Sequence, residues 1–375
     1  MRGNPEMTGA MFYVFDMEAK IPQDHPLRAI RRQCGKIFAA MQRDFDRAYS
    51  ATGRPSIPPE QLLLALLLRA LYSIRSEIQL MAAIDFNLLY RWFIGLALDA
   101  PVWTPETFSM NRERFDKHDL VRKFFDHVVA EGFEGELMSS DHFTVDGTLI
   151  RSLASDKSLV PREGDPRPPE DDDPGNPTVN FRGEPRKNDT HLSTTDPQAL
   201  LARKGKGKEA HLYHSGHALM ENRKGLVVDL QVDAADGHAE RRSALAMIDR
   251  SRKRHGLDLA TVGADTGYDD GKFLRALERR KITPHVPTKK GAIKATDANG
   301  RARRRSRSRR RNKGYVLSQQ IRKRVEEIFG WVKVVGEEAR TRFVKRWKIT
   351  QSFLITGAAY NLLRLVKLQR PAQTT

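Results

Sequence analysis

Apolar residues recur every three to four positions from Pro58 to about Phe133. The stretches IPPEQLLLALLLRALYSI, SEIQLMAAIDFNLLYRWF and TPETFSMNRERF consist largely of residues that favour helices. Thr104 precedes Pro105, a combination typical of the start of a helix. The pattern predicts an all-helical N-terminal domain over residues 1–135.

Two interpretations of this helical region remain open. Short helices joined by short turns, with Arg112 and Arg114 on the last of them, are compatible with a helix-turn-helix DNA reader. The same pattern is compatible with a small bundle packed on its own apolar faces. The region is therefore a candidate DNA-binding domain.

The period changes to two at Asp141, where the pattern becomes that of β-strands. HFTVDGTLI, HLYHSGHALM and GLVVDLQVDA follow one another, and a helix, AERRSALAMIDRSRKRHG, comes next. LATVGAD and TPHVP are further strands with the helix GKFLRALERRKI between them, and two more helical stretches follow. This order predicts an α/β domain over residues 136–375, with a mixed sheet flanked by helices.

Two segments of this domain lack any regular apolar pattern. Residues 155–203 are rich in proline, glycine and charge and include the acidic run Glu170 to Asp173. Residues 290–314 include RARRRSRSRRRNK. We expect both to be disordered surface excursions, and we interpret the acidic run as solvated rather than as a cation site.

The charge balance favours a polyanionic partner. The chain has 65 lysines and arginines against 47 acidic residues, a net charge of +18, which points to nucleic acid before membrane. The arginine-rich segment is a candidate to contact the phosphate backbone without reading sequence. Its candidate DNA-binding residues are Arg303, Arg304, Arg305, Arg309 and Arg310.

The remaining bulk features favour a cytoplasmic protein that does not enter a membrane. Cys34 is the only cysteine, which excludes a disulfide framework. The apolar run at residues 62–68 is much shorter than the roughly 20 residues that span a bilayer. The first residues lack the pattern of a signal peptide.

Three acidic residues are candidates for chemistry. Asp146 lies in the middle of a strand, where aspartate is disfavoured, and Asp265 ends a later strand. In the helical stretch RVEEIFGWVK, Glu326 shares one narrow stripe with Arg322 and Lys333, beside the apolar stripe that would dock on the sheet. Glu327 is rotated away, so Glu326 is the better candidate.

Carboxylates that converge from two strands and a helix repel one another unless a cation joins them. Mg²⁺ and Mn²⁺ prefer oxygen ligands of this kind. Two such ions in one site would activate a nucleophile and stabilise the leaving oxygen of a phosphodiester exchange. We therefore expect Asp146, Asp265 and Glu326 to be both the catalytic residues and the ligands of two metal ions.

The motifs TVDGT, GADTGYDD and RKRVEEIFGWVK resemble those of the DDE transposases of bacterial insertion sequences, in the group named after insertion sequence five. The resemblance extends from about Asp16 to Leu365. It implies a ribonuclease H-like fold with a five-stranded sheet, in which the first and fourth strands are adjacent so that Asp146 and Asp265 meet.

The resemblance also implies an activity and its partners. The enzyme would cut double-stranded DNA at the ends of an insertion sequence and join the 3′-OH to target DNA. It would act as a homodimer or higher oligomer in the bacterial cytoplasm, on the nucleoid when bound to DNA.

The family's last motif runs Tyr, two residues, Arg, three residues, Glu, six residues, Lys. Arg322, Glu326 and Lys333 match it, whereas Gln319 stands at the tyrosine position. Arg322 and Lys333 are therefore candidate DNA contacts, and a tyrosine-dependent contact is in question.

Other interpretations compete less well. His211, His214 and His217 recur at three-residue steps, but in a strand such steps alternate between faces and disfavour a zinc site. Tyr315 and Ser318 lack a recognisable activating arrangement for a covalent nucleophile. A non-catalytic DNA-binding relative of the transposases is the alternative function.

Overall fold

The computed structural model describes residues 15–50, 52–53, 56–162, 180–181, 184–205, 207–293 and 296–369. The acidic run Glu170 to Asp173 lies outside these residues. Helices occupy the described part of the N-terminal region, in agreement with the apolar pattern. They are α1 (Met17–Lys20), α2 (Pro26–Ala48), α3 (Pro59–Leu71), α4 (Glu77–Phe86), α5 (Leu88–Ile94), α6 (Pro105–Lys117) and α7 (Leu120–Glu134).

Helix α6 shows how the local sequence sets the ends and faces of these helices. Thr104 Oγ1 accepts a hydrogen bond from the Thr107 amide at 3.3 Å, which confirms the predicted N-cap. Arg112 forms an ion pair with Glu77 and lies 5.0 Å above the Phe343 ring. Arg112, a residue that could contact DNA in a helix-turn-helix, is thus paired within the protein. This favours the bundle interpretation over a helix-turn-helix.

Strands begin at His142, close to the predicted change of pattern. In chain order they are β1 (His142–Arg151), β2 (Leu159–Pro161), β3 (Asn180–Phe181), β4 (Glu184–Pro185), β5 (His191–Ser193), β6 (Leu200–Arg203), β7 (Ala210–Glu221), β8 (Val227–Ala234), β9 (Thr261–Gly263) and β10 (Thr283–His285). The later helices are α8 (Ala239–His255), α9 (Gly271–Arg279), α10 (Ala298–Ser308), α11 (Lys313–Ile321), α12 (Val325–Val334) and α13 (Arg346–Gln369).

The main sheet has the order β10-β9-β1-β7, and both β6 and β8 pair with the far edge of β7. β1 is antiparallel to β7 and parallel to β9, the fourth of the predicted strands, so the predicted adjacency is confirmed. Among the residues that the structure describes, the sheet has six strands rather than five because β7 is long. Its residues 210–213 pair with β6 and its residues 214–220 pair with β8.

Helices cover both faces of this sheet. Along β1 the position of Gly147 faces α8, where Glu240 approaches it, whereas Thr148 faces α12 and accepts a hydrogen bond from Lys333. Val325, Ile328 and Val332 are fully buried, so the predicted apolar stripe of α12 docks on the sheet. The ribonuclease H-like α/β fold implied by the sequence is confirmed.

The N-terminal helices and the sheet share one hydrophobic core. The C-terminal helix α13 packs against α2, α3 and α7 on one side and against β8 on another. Arg69 of α3 is buried and donates a 3.0 Å hydrogen bond to Ser352 of α13. The boundary at residue 135 falls between α7 and β1, but division into two domains stays a prediction because the core is continuous.

The prediction of disorder is wrong for the arginine-rich segment. α10 spans Ala298–Ser308, and the Asp297 side chain accepts from the Gly300 amide at 2.9 Å as its N-cap. Ala302 and Ser306, one turn apart, are buried and let the helix pack closely on α9. The arginines do not prevent this helix because neighbouring acidic residues pair with several of them.

Residues 155–203 are also partly ordered, contrary to the prediction. β2 pairs with β5, and β6 joins the main sheet. The buried Asp196 carboxylate lies 2.8 Å from His214 Nε2 and accepts from Ser152 at 2.7 Å. Polar contacts of this kind order a chain that lacks a regular apolar pattern, which explains why periodicity missed them.

No helix in the described part of the chain has both the length and the apolar character needed to cross a membrane.

Candidate active site

The first candidate acid, Asp146, lies in β1 with its side chain mostly buried. Its Oδ1 accepts a 2.8 Å hydrogen bond from the Gly147 amide, and its Oδ2 lies 3.8 Å from Arg322 Nη1. Burial raises the pKa of Asp146 to about 6, and the charges of Asp265 and Glu326 add to the rise. The carboxylate is thus held in a place where its negative charge is unfavourable without a cation.

The second acid, Asp265, reaches the same level of the sheet through strand register. Thr144 of β1 pairs with Gly263, the last residue of the parallel strand β9, and Asp146 and Asp265 each follow two residues later. Asp265 caps the turn Thr266–Tyr268, with its Oδ1 accepting from the Gly267 amide at 2.8 Å. The charge of Asp265 acts on Asp146, in keeping with the strand adjacency that the family resemblance implies.

The third acid lies in the first turn of α12. Glu326 is exposed, and its charge contributes to the raised pKa of Asp146. Glu327, by contrast, lies 3.1 Å from Arg364 Nη1 and accepts a hydrogen bond from Tyr360. The geometry supports the choice of Glu326, although the role of each residue stays a prediction.

The donor set fits a hard divalent cation, since it consists of carboxylate oxygens. Within the described residues, no three His, Cys, Asp or Glu side chains already form a group that could hold a metal. One oxygen of each aspartate is occupied by a nearby backbone amide, of Gly147 and of Gly267 respectively. Metal binding would therefore require the carboxylates to converge further.

Two cations lie near these acids, although Arg322 belongs to a 3-10 turn that precedes α12 rather than to α12 itself. Arg322 lies beside Asp146, and Lys333 Nζ donates to Thr148 Oγ1, two residues further along β1. Burial lowers the pKa of Lys333, and the charge of Lys204 lowers it further. Lys333 and Lys204 line a cleft of about 750 Å³ that also borders Gly147 and Thr148. Arg203 also lines this cleft, whose walls include the acidic residues Asp236 and Glu240 as well.

Gln319, at the tyrosine position of the family's motif, contacts the protein backbone. Its Nε2 donates to the carbonyl oxygens of His285 at 2.5 Å and Ala264 at 3.5 Å. Ala264 immediately precedes Asp265, so Gln319 links α11 to the ends of the two strands beside the site. The sequence did not predict this role.

The arginines of α10 have partners within the chain. Arg303 and Asp269 form a double hydrogen bond, and Glu278 pairs with both Arg305 and Arg309. Arg304 donates to the Ile293 carbonyl at 3.3 Å, and Arg310 donates to the Thr288 carbonyl at 2.6 Å. Their proposed role on DNA stays a prediction, and each has a structural role that the sequence did not reveal.

A fourth carboxylate near the site was also missed. Glu240 lies in the first turn of α8, and burial together with the charges of Asp265 and Asp146 raises its pKa. The same negative charges act on Tyr268. Burial raises the pKa of its hydroxyl, and the charges of Glu240, Asp146 and Asp265 raise it further. The sequence held one indication of this carboxylate. Gly147 and Gly267 each follow a candidate aspartate, and a glycine there leaves space for another side chain beside the acid.

The competing sites do not form in the described residues. His211 lies 2.7 Å from Asp156 and His214 2.8 Å from Asp196, so each is engaged by its own carboxylate. Burial raises the pKa of Tyr315, which disfavours it as a nucleophile. Neither result favours a zinc protein or a tyrosine recombinase.

Comparison with protein families gives two matches along the chain. A family described as "Transposase domain (DUF772)" matches residues 15–114, and one described as "Transposase DDE domain" matches residues 188–362. The second match contains Asp265 and Glu326, and Asp146 precedes it. The two matches together cover most of the chain. The chain belongs to the DDE transposases.

Among solved structures, this DDE transposase resembles a piggyBac transposase synaptic complex with hairpin DNA, at 9% identity and a TM-score of 0.39, over 93% of this chain and 77% of that one. It also resembles a Mos1 transposase paired-end complex with a left transposon end, at 12% identity and a TM-score of 0.20, over 84% and 88% of the two chains. Such distant likenesses carry no argument about this chain. None of the curated proteins compared with it matches.

Proposed function

We propose that this DDE transposase cuts double-stranded DNA at the ends of an insertion sequence and joins the resulting 3′-OH to target DNA. Asp146, Asp265 and Glu326 would hold two Mg²⁺ or Mn²⁺ ions. The observation that most supports the proposal is the register of β1 and β9, in which Asp146 and Asp265 each lie two residues beyond the paired residues Thr144 and Gly263. The ions, when bound, would activate the attacking hydroxyl and stabilise the leaving oxygen.

The side chains around the acids would position the DNA. Arg322 and Lys333 both face β1, and a phosphate bound between them would lie beside the carboxylates. Lys204 extends the positive surface along the cleft, and the net charge of +18 attracts DNA at longer range. Phosphodiester exchange conserves the energy of the bond, so the reaction needs no nucleotide cofactor.

Joining requires two DNA ends and a target to be held together, which is the reason to propose a homodimer or higher oligomer on DNA. The exposed faces of α10 are further candidates for backbone contact, because each guanidinium has more donors than its internal partner uses.

The test is an incubation of the purified full chain with a duplex that carries the sequences flanking its own gene. Reactions contain Mg²⁺ or EDTA, and a duplex with scrambled ends is the control. We expect cuts at the ends that require Mg²⁺ and leave a 3′-OH. Binding to the ends without cleavage in either Mg²⁺ or Mn²⁺ would instead support the non-catalytic DNA-binding alternative.

A further inference from the structure

Glu240 enters the candidate active site from the face of the sheet opposite α12. It lies in the first turn of α8 and lines the cleft that Thr148 and Lys333 also border. Across the described residues, its carboxylate has no hydrogen-bond or ion-pair partner. Although part of Glu240 is exposed, the charges of Asp265 and Asp146 disfavour its ionised form, and a cation bound between the carboxylates would offset that repulsion.

The glycine of the GADTGYDD motif shows how close Glu240 comes. A Cβ atom on Gly267 would lie 2.9 Å from Asp265 Oδ1 and 3.3 Å from Glu240 Oε2. Gly267 does not have a positive φ, so its backbone does not require glycine. Because Gly267 has no side chain, the carboxylates of Asp265 and Glu240 have space to approach each other.

The glycine of the TVDGT motif has the same effect on the other strand. A Cβ atom on Gly147 would lie 3.4 Å from Glu240 Cγ and 3.0 Å from His217 Nδ1. Gly147 also lacks a positive φ. Glycines in two separate motifs, each next to a candidate metal ligand, therefore leave room for the same glutamate.

His217 is an independent indication that this pocket is built for a polar group. Its ring is fully buried, and neither nitrogen has a hydrogen-bond partner among the residues that the structure describes. It is directed at the Gly147 position that Glu240 also contacts. A buried imidazole without a hydrogen bond costs free energy. A hydrogen-bond partner that enters the pocket together with the bound ion would remove that cost.

We propose that Glu240 is a fourth carboxylate of the active site and that, with Asp265, it holds a divalent ion on the α8 side of the sheet. The inference rests on the proposed function. Proteins usually bind Mg²⁺ through one or two carboxylates, and water and substrate phosphates complete its roughly six oxygen ligands, so Asp265 and Glu240 would suffice to hold one ion. Glu326 would then contribute its carboxylate from the face of the sheet covered by α12, and Glu240 from the face covered by α8.

The test measures metal binding on the full chain without DNA, by the loss of the electron paramagnetic resonance signal of free Mn²⁺. The variants are Glu240→Gln, Glu240→Asp and Asp265→Asn. Asp236→Asn is the matched control, because Asp236 lines the same cleft but forms an ion pair with Arg242 at 3.0 Å. Thermal melting of each preparation confirms that it is folded.

We expect Glu240→Gln to weaken Mn²⁺ binding by about tenfold or more, as losses around metal sites do, and Asp236→Asn to bind like the wild type. Glu240→Asp keeps the charge but shortens the side chain by one methylene. A ligand role predicts weaker binding for it as well, whereas a general effect of charge predicts wild-type binding.

Two other outcomes overturn the proposal in distinguishable ways. If Asp265→Asn loses the Mn²⁺ site while both Glu240 variants keep it, Glu240 is not a ligand and the proposed function stands. If the wild type has no Mn²⁺ site that depends on Asp265, the proposed function fails and this inference fails with it.

Discussion

Arg303 donates two hydrogen bonds to the Asp269 carboxylate: Nε lies 3.0 Å from Oδ1 and Nη2 lies 2.6 Å from Oδ2. The Asp269 carboxylate is almost fully buried and also accepts from the Lys289 amide at 2.8 Å. Asp269 follows Asp265 by four residues, in the turn that leaves β9. The arginine-rich helix α10 therefore braces the loop that carries a candidate metal ligand.

Arg303→Ala is expected to reduce the free energy of unfolding by about 2–4 kcal/mol, because it leaves a buried carboxylate without its cation. Burial alone would raise the pKa of Asp269, but hydrogen bonds from Arg303 and Lys289 hold it below 3.8. The pair thus stabilises the fold above pH 3.8, and its contribution is lost as the pH falls through the lowered pKa. Urea denaturation at pH 7 measures the effect.

Arg311→Ala is the matched control for that substitution. Arg311 is exposed and lies on the same basic segment, so its loss removes the same charge. Equal effects of the two substitutions on stability would show that the ion pair with Asp269 does not brace the loop.

Asp146→Asn is expected to stabilise the metal-free protein while it abolishes cleavage. The pKa of Asp146 is about 6 in the fold against an ordinary 3.8, so the folded state binds a proton that the unfolded state releases. The wild type therefore loses stability as the pH rises from 3.8 to 6, whereas the amide does not titrate. The variant should be more stable by about 3 kcal/mol at a pH well above 6.

The measurement is urea denaturation in EDTA at several pH values. The advantage of Asp146→Asn should shrink as the pH falls and disappear near pH 4, close to the ordinary pKa of an aspartate. A constant difference at all pH values would mean that a factor other than the buried charge sets it.

Gln319→Ala is expected to slow cleavage without weakening DNA binding. The substitution removes the hydrogen bonds to the Ala264 and His285 carbonyls, at a cost of about 1 kcal/mol in stability. It should also loosen the strand end that carries Asp265. Gln320→Ala, the exposed neighbour, is the control. Weaker DNA binding with unchanged cleavage of the bound fraction would assign Gln319 to the DNA instead.

The parts of the fold that the sequence predicted are those with regular apolar patterns. Val325, Ile328 and Val332 form a stripe that is buried as expected, and the period-two pattern around Asp146 forms β1. The adjacency of β1 and β9 was implied by the family resemblance and not by the apolar pattern.

The parts that the sequence did not predict depend on contacts between residues far apart in the chain. Arg303 and Asp269 are ordered by each other, and composition shows only a run of arginines. Glu240 lies in an ordinary amphipathic helix, and only the packing of α8 against Gly147 and Gly267 reveals that it faces the acids. Periodicity reports which face of an element is buried and does not identify the group across from it.

Lys333→Ala is expected to weaken binding to DNA ends and to slow cleavage, with little change in melting temperature. Its Nζ donates to Thr148 rather than to Glu326, so no ion pair between Lys333 and Glu326 is lost. Lys333→Arg should keep DNA binding but lose some of the rate, because a planar guanidinium places its charge differently. A sharp loss of stability with normal cleavage by the folded fraction would show that Lys333 is structural.

The central claim is that Asp146, Asp265 and Glu326 hold the metal ions that cut DNA, and one pair of adjacent substitutions tests it most directly. Glu326→Gln and Glu327→Gln remove the same charge from neighbouring positions of α12. Glu327, however, pairs with Arg364 at 3.1 Å, away from the site. The measurement is the rate of Mg²⁺-dependent cleavage at the insertion-sequence ends, with DNA affinity determined on the same preparations. We expect that Glu326→Gln binds DNA but does not cut it, whereas Glu327→Gln cuts at close to the wild-type rate. Normal cleavage by Glu326→Gln, or equal loss in both variants, would contradict it.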